Sequence, residues 1–270
     1  IGFMANNLLP ARVGEFARAY ALSRLEPIRV SASFGSLVVE RMFDGIVVIL
    51  LLFGSLAWPT FPEVSGRDFG AGAAWMGVLL AGVFVALLVL VHRPGRVVRW
   101  FEGTVARLLP GSMGRLVTDT LDAFLTGVAA VRDWRLVLQA FAWSLVIWFT
   151  AALAVWVGFL AFDIHLPFVA AVFRHSIISL AVSLPSAPGF FGVFEAAARI
   201  GLVEVWSVAA GPAVAFAIGF HLAGFVPVTV IGLYYVWRLG LSWREVERSE
   251  EAVETAVEES PAVTADREPT

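Results

Sequence analysis

Apolar residues run almost unbroken along four stretches of the chain, at 31–58, 69–91, 137–162 and 211–237, and polar residues gather between them. About 20 apolar residues in helical form cross the ~30 Å of hydrocarbon in a bilayer. Each stretch therefore predicts a membrane-spanning helix. The connections are a short loop at 59–68, an arginine-rich loop at 92–135 and a compact turn at Asp163, Ile164, His165 and Leu166. Two weaker helical segments, 167–184 and 192–206, are separated by Leu184, Pro185, Ser186, Ala187, Pro188 and Gly189, a run that no helix passes through. Inside the long loop Val117, Leu121, Phe124, Leu125, Val128 and Val131 share one helical face. They predict an amphipathic helix that lies on the membrane surface or packs on the bundle.

Charge orients the spans, because arginine-rich loops stay in the cytoplasm. Arg12, Arg18, Arg24 and Arg29 precede the first span, seven arginines from Arg93 to Arg135 fill the long loop, and Arg238, Arg244 and Arg248 follow the last span. All three regions are expected on the cytoplasmic side. The chain between 162 and 211 must then return to the side it left. A re-entrant pair of helices that turns within the membrane at the Pro/Gly break satisfies that requirement, and so do two short crossings. The re-entrant form needs a cavity, since non-helical backbone at membrane depth is tolerated only where protein or water covers it.

Composition sharpens this picture. Hydrophobic residues make up 59% of the 270 residues, against roughly 45–50% in soluble domains. Cysteine is absent, which excludes disulfides, thiolate catalysis and cysteine-ligated metals. Every basic residue other than histidine is an arginine, so lysine-dependent phosphate loops and Schiff-base chemistry are excluded too. Acidic residues crowd the last 26 positions. A membrane domain at 1–240 is expected to be followed by an acidic cytoplasmic tail at 241–270, disordered over 249–270, where too little apolar surface remains to fold. Ile1 opens on a structured-looking segment without a signal peptide, so the sequence is expected to be cut from a longer protein.

Ionisable residues at hydrophobic depth are the chemical signal, each costing about 2.5–3.5 kcal/mol at a helix centre. Glu40, Arg41 and Asp44 interrupt the first span. The 14 residues from Gly45 to Trp58 reach only about 21 Å at 1.5 Å per residue, which draws the triplet into the inner leaflet. Its role is functional, or it is an ion pair that fixes helix packing. Arg174 and His175 lie midway along 167–184, where a cation wants a lipid phosphate or an acidic side chain. Glu195 and Arg199, one turn apart, read as a helix-stabilising pair. His221 in the last span reads as hydrogen-bonded packing before proton relay. Near the start, Leu9 and Pro10 precede Gly14, Glu15 and Arg18, as Leu184 and Pro185 precede Gly192, Glu195 and Arg199. Two corresponding broken segments mark discontinuous helices around a midplane site.

Asn7 to Glu15 with Arg18, the Glu40, Arg41 and Asp44 triplet, and Pro185 to Gly189 continuing through Gly192 and Glu195 together resemble the lysylphosphatidylglycerol synthase transmembrane, or flippase-like, family. The resemblance implies an all-α, polytopic bundle with discontinuous or re-entrant helices around a polar midplane cavity. It also implies movement of a phospholipid between leaflets, aminoacylated phosphatidylglycerol in the best-understood members. Further helices are expected ahead of Asn6. The resemblance does not extend to an aminoacyltransferase domain, so it gives no basis for a synthase. On this reading Arg12, Arg18, Arg174 and Arg199 offer bonds to a phosphate, Glu15, Glu40, Asp44 and Glu195 balance them, and Arg41 and His175 complete the substrate-binding set. Pro10, Gly14, Pro185, Ser186, Pro188, Gly189 and Gly192 form the breaks.

The expected partner is a membrane phospholipid or lipid-linked substrate and not nucleic acid; homo-oligomerisation stays open. No cofactor or metal is expected. The expected location is a bacterial-type plasma membrane, with multiple crossings. Two other functions stay open. An ion-coupled solute transporter would use Glu195 or His221 as proton carriers. A lipid-linked glycosyl or headgroup transferase would need acid/base chemistry at Glu40 and Asp44, beside which no nucleophile is placed.

Overall fold

The computed structural model describes residues 1–9, 13–26, 30–62, 134–183, 186–249, 251 and 253. The expected span at 69–91, the amphipathic helix at 117–131, and Pro10, Arg12 and Pro185 lie outside them. All regular structure among the described residues is helical. A short α1 (Gly2–Leu8) and α2 (Gly14–Leu25) form a broken pair, followed by the long α3 (Val30–Leu56). Next come α4 (Trp134–Ala161), α5 (Phe168–Ser183), a single 3-10 turn (Pro188–Phe190), α6 (Val193–Arg199) running into a π-helical turn (Ile200–Val205), α7 (Ala210–Arg238) and α8 (Trp243–Glu247).

The apolar runs predicted the long helices closely. α4 and α7 are long and apolar enough to cross a membrane. Their outward faces carry Val146, Leu153, Val157, Ile218, Val230 and Ile231, all exposed. Apolar side chains turned outward in this density suit hydrocarbon and not water. α5, with 16 residues, spans only about 24 Å.

The break after α5 has a local cause. Gly189 (φ 66°), Phe190 (φ 61°) and Gly192 (φ 85°) all adopt left-handed backbone, which stops a right-handed helix. A Cβ on Gly189 would also stand 2.7 Å from the Phe225 ring, so that position needs glycine twice over.

Packing brings the two broken segments together. α1 lies against α2, α7 and the 3-10 turn, so the N-terminal pair meets the break between α5 and α6 although they are far apart in sequence. Asn7 Nδ2 donates to Thr229 Oγ1 (2.9 Å) and to the Phe225 carbonyl (3.3 Å) on α7. One core is formed by Val155, Phe159, Ala170, Ala171, Leu202 and Phe216, and a second by Met4, Ala5, Ala17, Val236 and Val246.

Of the expected tail over 249–270, only Ser249, Glu251 and Val253 lie within the described residues. Ser249 and Val253 are buried, and Val253 packs with Ala19 and Leu37. α8 starts at a capping box, Ser242 with Glu245, which satisfies two otherwise orphan amides. The same Glu245 accepts a bond from Arg24 at 2.8 Å. The Ser242 amide and hydroxyl and then Arg24 hold the Glu245 carboxyl down at about 2. Because the folded value lies below the ordinary one, the stabilisation is present above the usual carboxylate range and is lost as pH falls through about 2. A carbon-13 titration of Glu245 is expected to show its midpoint near there, and a midpoint in the usual carboxylate range would contradict the contact. Arg24→Gln should raise it only partly, since the Ser242 bonds have the larger effect.

Candidate functional site

A cavity of about 960 Å³ opens between the broken pair α1/α2, α3 and α4. Glu15, Arg18, Glu40, Arg41, Asp44 and His175 all reach its wall. α3 places Glu40, Arg41 and Asp44 within one turn, and α2 brings Glu15 and Arg18 alongside. The Glu40 carboxylate is the hub. Its Oε1 accepts from Arg18 Nη1 at 2.8 Å and from Arg41 Nη2 at 2.7 Å. Arg41 also faces Asp44 Oδ2 at 3.4 Å and Glu15 Oε2 at 3.8 Å. Asp44 Oδ1 is held in turn by Trp148 Nε1 at 3.1 Å and Ser144 Oγ at 3.4 Å, both from α4. Arg18 and Glu40 stay partly exposed to the cavity, at 43% and 38% of their side-chain surface. Two guanidiniums thus share one carboxylate oxygen, an arrangement open to exchange with another oxyanion.

Gly14 serves more than a break. Its amide donates to Asn6 Oδ1 at 2.9 Å, and a Cβ there would collide with the Gly2 carbonyl and the Asn6 amide. It therefore sets how closely α1 approaches α2 and seats Glu15 beside the cavity.

Adjacent residues on α5 face different ways. His175 lines the cavity and packs on the Trp148 ring, 5.1 Å between centroids. Arg174, expected to meet a phosphate or a carboxylate, is fully buried. Its guanidinium carbon sits 5.0, 5.0 and 5.1 Å from the ring centroids of Phe194, Phe216 and Phe220. Among the described residues none of its three side-chain nitrogens has a hydrogen-bond partner. Three aromatic faces supply cation–π attraction in place of an ion pair.

The expected pairing of Glu195 with Arg199 is replaced by two others. Glu195 caps its own helix, taking the Gly192 amide at 2.7 Å, and its second oxygen lies 2.6 Å from His221 Nδ1 on α7. Arg199 reaches Glu204 instead, at 3.6 Å. The π-helical turn explains the change, because its wider winding brings positions five apart, not four, onto one face. Ser186 and Pro188 flank the break, clear of the cavity wall. Sequence reasoning missed Asn6 and Ser144, Trp148 as a ligand of Asp44, and the cage phenylalanines. Asn6 inside an apolar helix and the Phe216, Phe220 spacing were available signals; Trp148 was indistinguishable from a lipid-facing tryptophan.

Over residues 1–232 the chain matches the family described as the lysylphosphatidylglycerol synthase TM region. It is similar to a UPF0104 membrane protein of Methanocaldococcus jannaschii, 26% identical over 237 residues that cover 86% of this chain and 93% of that protein. A UPF0104 membrane protein of Methanothermobacter thermautotrophicus is 26% identical over 246 residues, 87% of this chain and 71% of the relative. The glycosyltransferase AglD of Haloferax volcanii is 28% identical over 285 residues, which cover 96% of this chain but only 44% of AglD. No solved structure matches. The three motifs that carried the resemblance all fall inside the matched residues, and this membrane protein belongs to the family of the lysylphosphatidylglycerol synthase transmembrane region.

Proposed function

We propose that the protein moves a phospholipid or lipid-linked substrate between the leaflets of the membrane. The observation that carries this reading is the Arg18, Glu40 and Arg41 cluster on the wall of a 960 Å³ cavity, within a bundle whose outer helices turn apolar side chains outward. A headgroup crosses through the polar cavity while its acyl chains stay in the hydrocarbon. A phosphate oxygen takes the place of Glu40 Oε1 between the two guanidiniums, so that Arg18 and Arg41 exchange one oxyanion for another while the displaced Glu40 carboxylate, partly exposed already, is hydrated in the cavity. His175 and Glu15 complete the wall.

The segment 167–206 is read as re-entrant, its break meeting α1 near the middle of the bundle. α5 falls short of ~30 Å, and α6 with its π-helical turn is shorter still. The chain crosses a plasma membrane several times, with its C-terminal tail in the cytoplasm.

Purified full-length protein in liposomes, assayed for leaflet accessibility of headgroup-labelled phospholipid, tests the proposal. Wild type is expected to accelerate loss of protected label. Arg18→Gln with Arg41→Gln should slow it at least about tenfold, or ~1.4 kcal/mol of barrier. Folded protein that accelerates no lipid would overturn it. The similarity to a glycosyltransferase favours a second reading, transfer of a lipid-linked sugar, which product formation from such a donor by the purified protein would establish.

A further inference from the structure

We infer that Arg174, Glu195 and His221 form a proton-linked anion site, separate from the cavity wall, that takes up one proton on His221 together with one phosphate group at Arg174. The three residues meet around a single ring. Phe194 stacks on the His221 imidazole, centroids 4.2 Å apart and planes 19° from parallel. The same ring lies 5.0 Å from the Arg174 guanidinium carbon. Glu195 is the next residue along α6 and holds His221 at 2.6 Å.

Charge decides what this cluster can do. Bonding of Nδ1 to a carboxylate makes that nitrogen the donor and leaves Nε2 as the nitrogen that gains a proton. With His221 neutral, the positive charge of Arg174 and the negative charge of Glu195 balance across Phe194. With His221 protonated, Glu195 is neutralised by the imidazolium it already touches, and Arg174 becomes an uncompensated charge in an apolar interior. A fully buried guanidinium without a hydrogen-bond partner among the described residues then requires an anion. A phosphate oxygen, whether of a lipid headgroup or free, matches its fork of donors.

Among the described residues the other charged groups near His221 do not alter this balance. Arg199 and Glu204 pair with each other next to α6. His175 turns away to Trp148. α1 offers only the amides Asn6 and Asn7. Access to Arg174 requires Phe194 to withdraw, which places the movement in α6. It has only seven residues, with left-handed backbone at Gly189, Phe190 and Gly192 on one side and a π-helical turn on the other.

The transport arm of the test rests on the lipid-moving function; the binding arm does not. Full-length protein in detergent is titrated with inorganic phosphate, and separately with short-chain phosphatidylglycerol, by calorimetry in two buffers of different ionisation enthalpy. Uptake of about one proton per bound phosphate group is expected. In liposomes, movement of labelled phosphatidylglycerol is expected to rise as pH falls, by up to about tenfold per pH unit. His221→Gln should flatten the profile to less than about twofold at a low rate, and Glu195→Gln should flatten it at a high rate, because the first removes the proton acceptor and the second removes the counter-charge. Binding without proton uptake, or wild type and His221→Gln sharing one pH profile, would overturn the site while leaving lipid movement standing. Proton-linked phosphate binding by a protein that moves no lipid would keep the site and sink the lipid-moving function. Proton uptake with the lipid but not with inorganic phosphate would support the site and assign its ligand to the headgroup. The proton count with short-chain phosphatidylglycerol decides the matter even if a variant fails to fold, because its phosphodiester takes up no proton near neutral pH, whereas inorganic phosphate does.

Discussion

Arg174→Met is expected to give a protein that is more resistant to heat and slower at moving lipid. Three cation–π contacts return about 0.5–2 kcal/mol each, whereas an ion of this size loses several kcal/mol of hydration when it is buried. Methionine fills much of the same space and keeps favourable contacts with the aromatic cage. Replacing a poorly compensated buried charge by an apolar side chain stabilises by about 1–4 kcal/mol in comparable cases. Thermal unfolding in detergent micelles measures the gain, and the leaflet assay measures the cost, expected to be at least about tenfold. Loss of stability with unchanged transport would show that the guanidinium is structural. The opposite result marks a residue kept for its charge at the expense of the fold, as intramembrane cations generally are.

Gly14→Ala and Gly232→Ala are expected to loosen the N-terminal broken pair from opposite sides. A Cβ on Gly14 would overlap the Gly2 carbonyl, and one on Gly232 would overlap the Met4 side chain close to its backbone. In neither case is the obstacle the free end of a flexible side chain, so α1 itself has to move. Overpacking of this kind costs about 1–3 kcal/mol, and Gly14→Ala also strains the Asn6 to Gly14 bond, worth ~1 kcal/mol. Both substitutions push the same seven-residue helix, so their combined effect should differ from the sum of the two. Thermal unfolding of the three variants reads this directly. Wild-type stability in both single variants would mean that α1 is not held between α2 and α7. Because α1 also rests on the turn at Pro188 to Phe190, its displacement should slow lipid movement as well.

Much of the molecule was legible before any folding. The helices Val30–Leu56, Trp134–Ala161 and Ala210–Arg238 follow the apolar runs to within a few residues, because an apolar run answers to local composition alone, and the last two are apolar enough throughout to cross a membrane. Glu40, Arg41 and Asp44 announced themselves for a related reason, since a charge inside an apolar run is costly wherever its partners lie. The breaks at Gly189 and Gly192 were equally local, set by backbone that only certain residues adopt without strain.

Partnership was the part that only tertiary structure decided. Helical spacing suggested Arg199 for Glu195, but the carboxylate went to His221, 26 residues away. The oxygen that Arg18 shares with Arg41, the indole that steadies Asp44 from α4, and the aromatic cage that takes Arg174 out of the cavity all depend on how helices are laid beside one another. Hydropathy is a property of each segment against its solvent, so the sequence by itself determined what enters the membrane; a hydrogen bond or an ion pair is a property of two segments at ångström distances, so packing alone determined which charges meet.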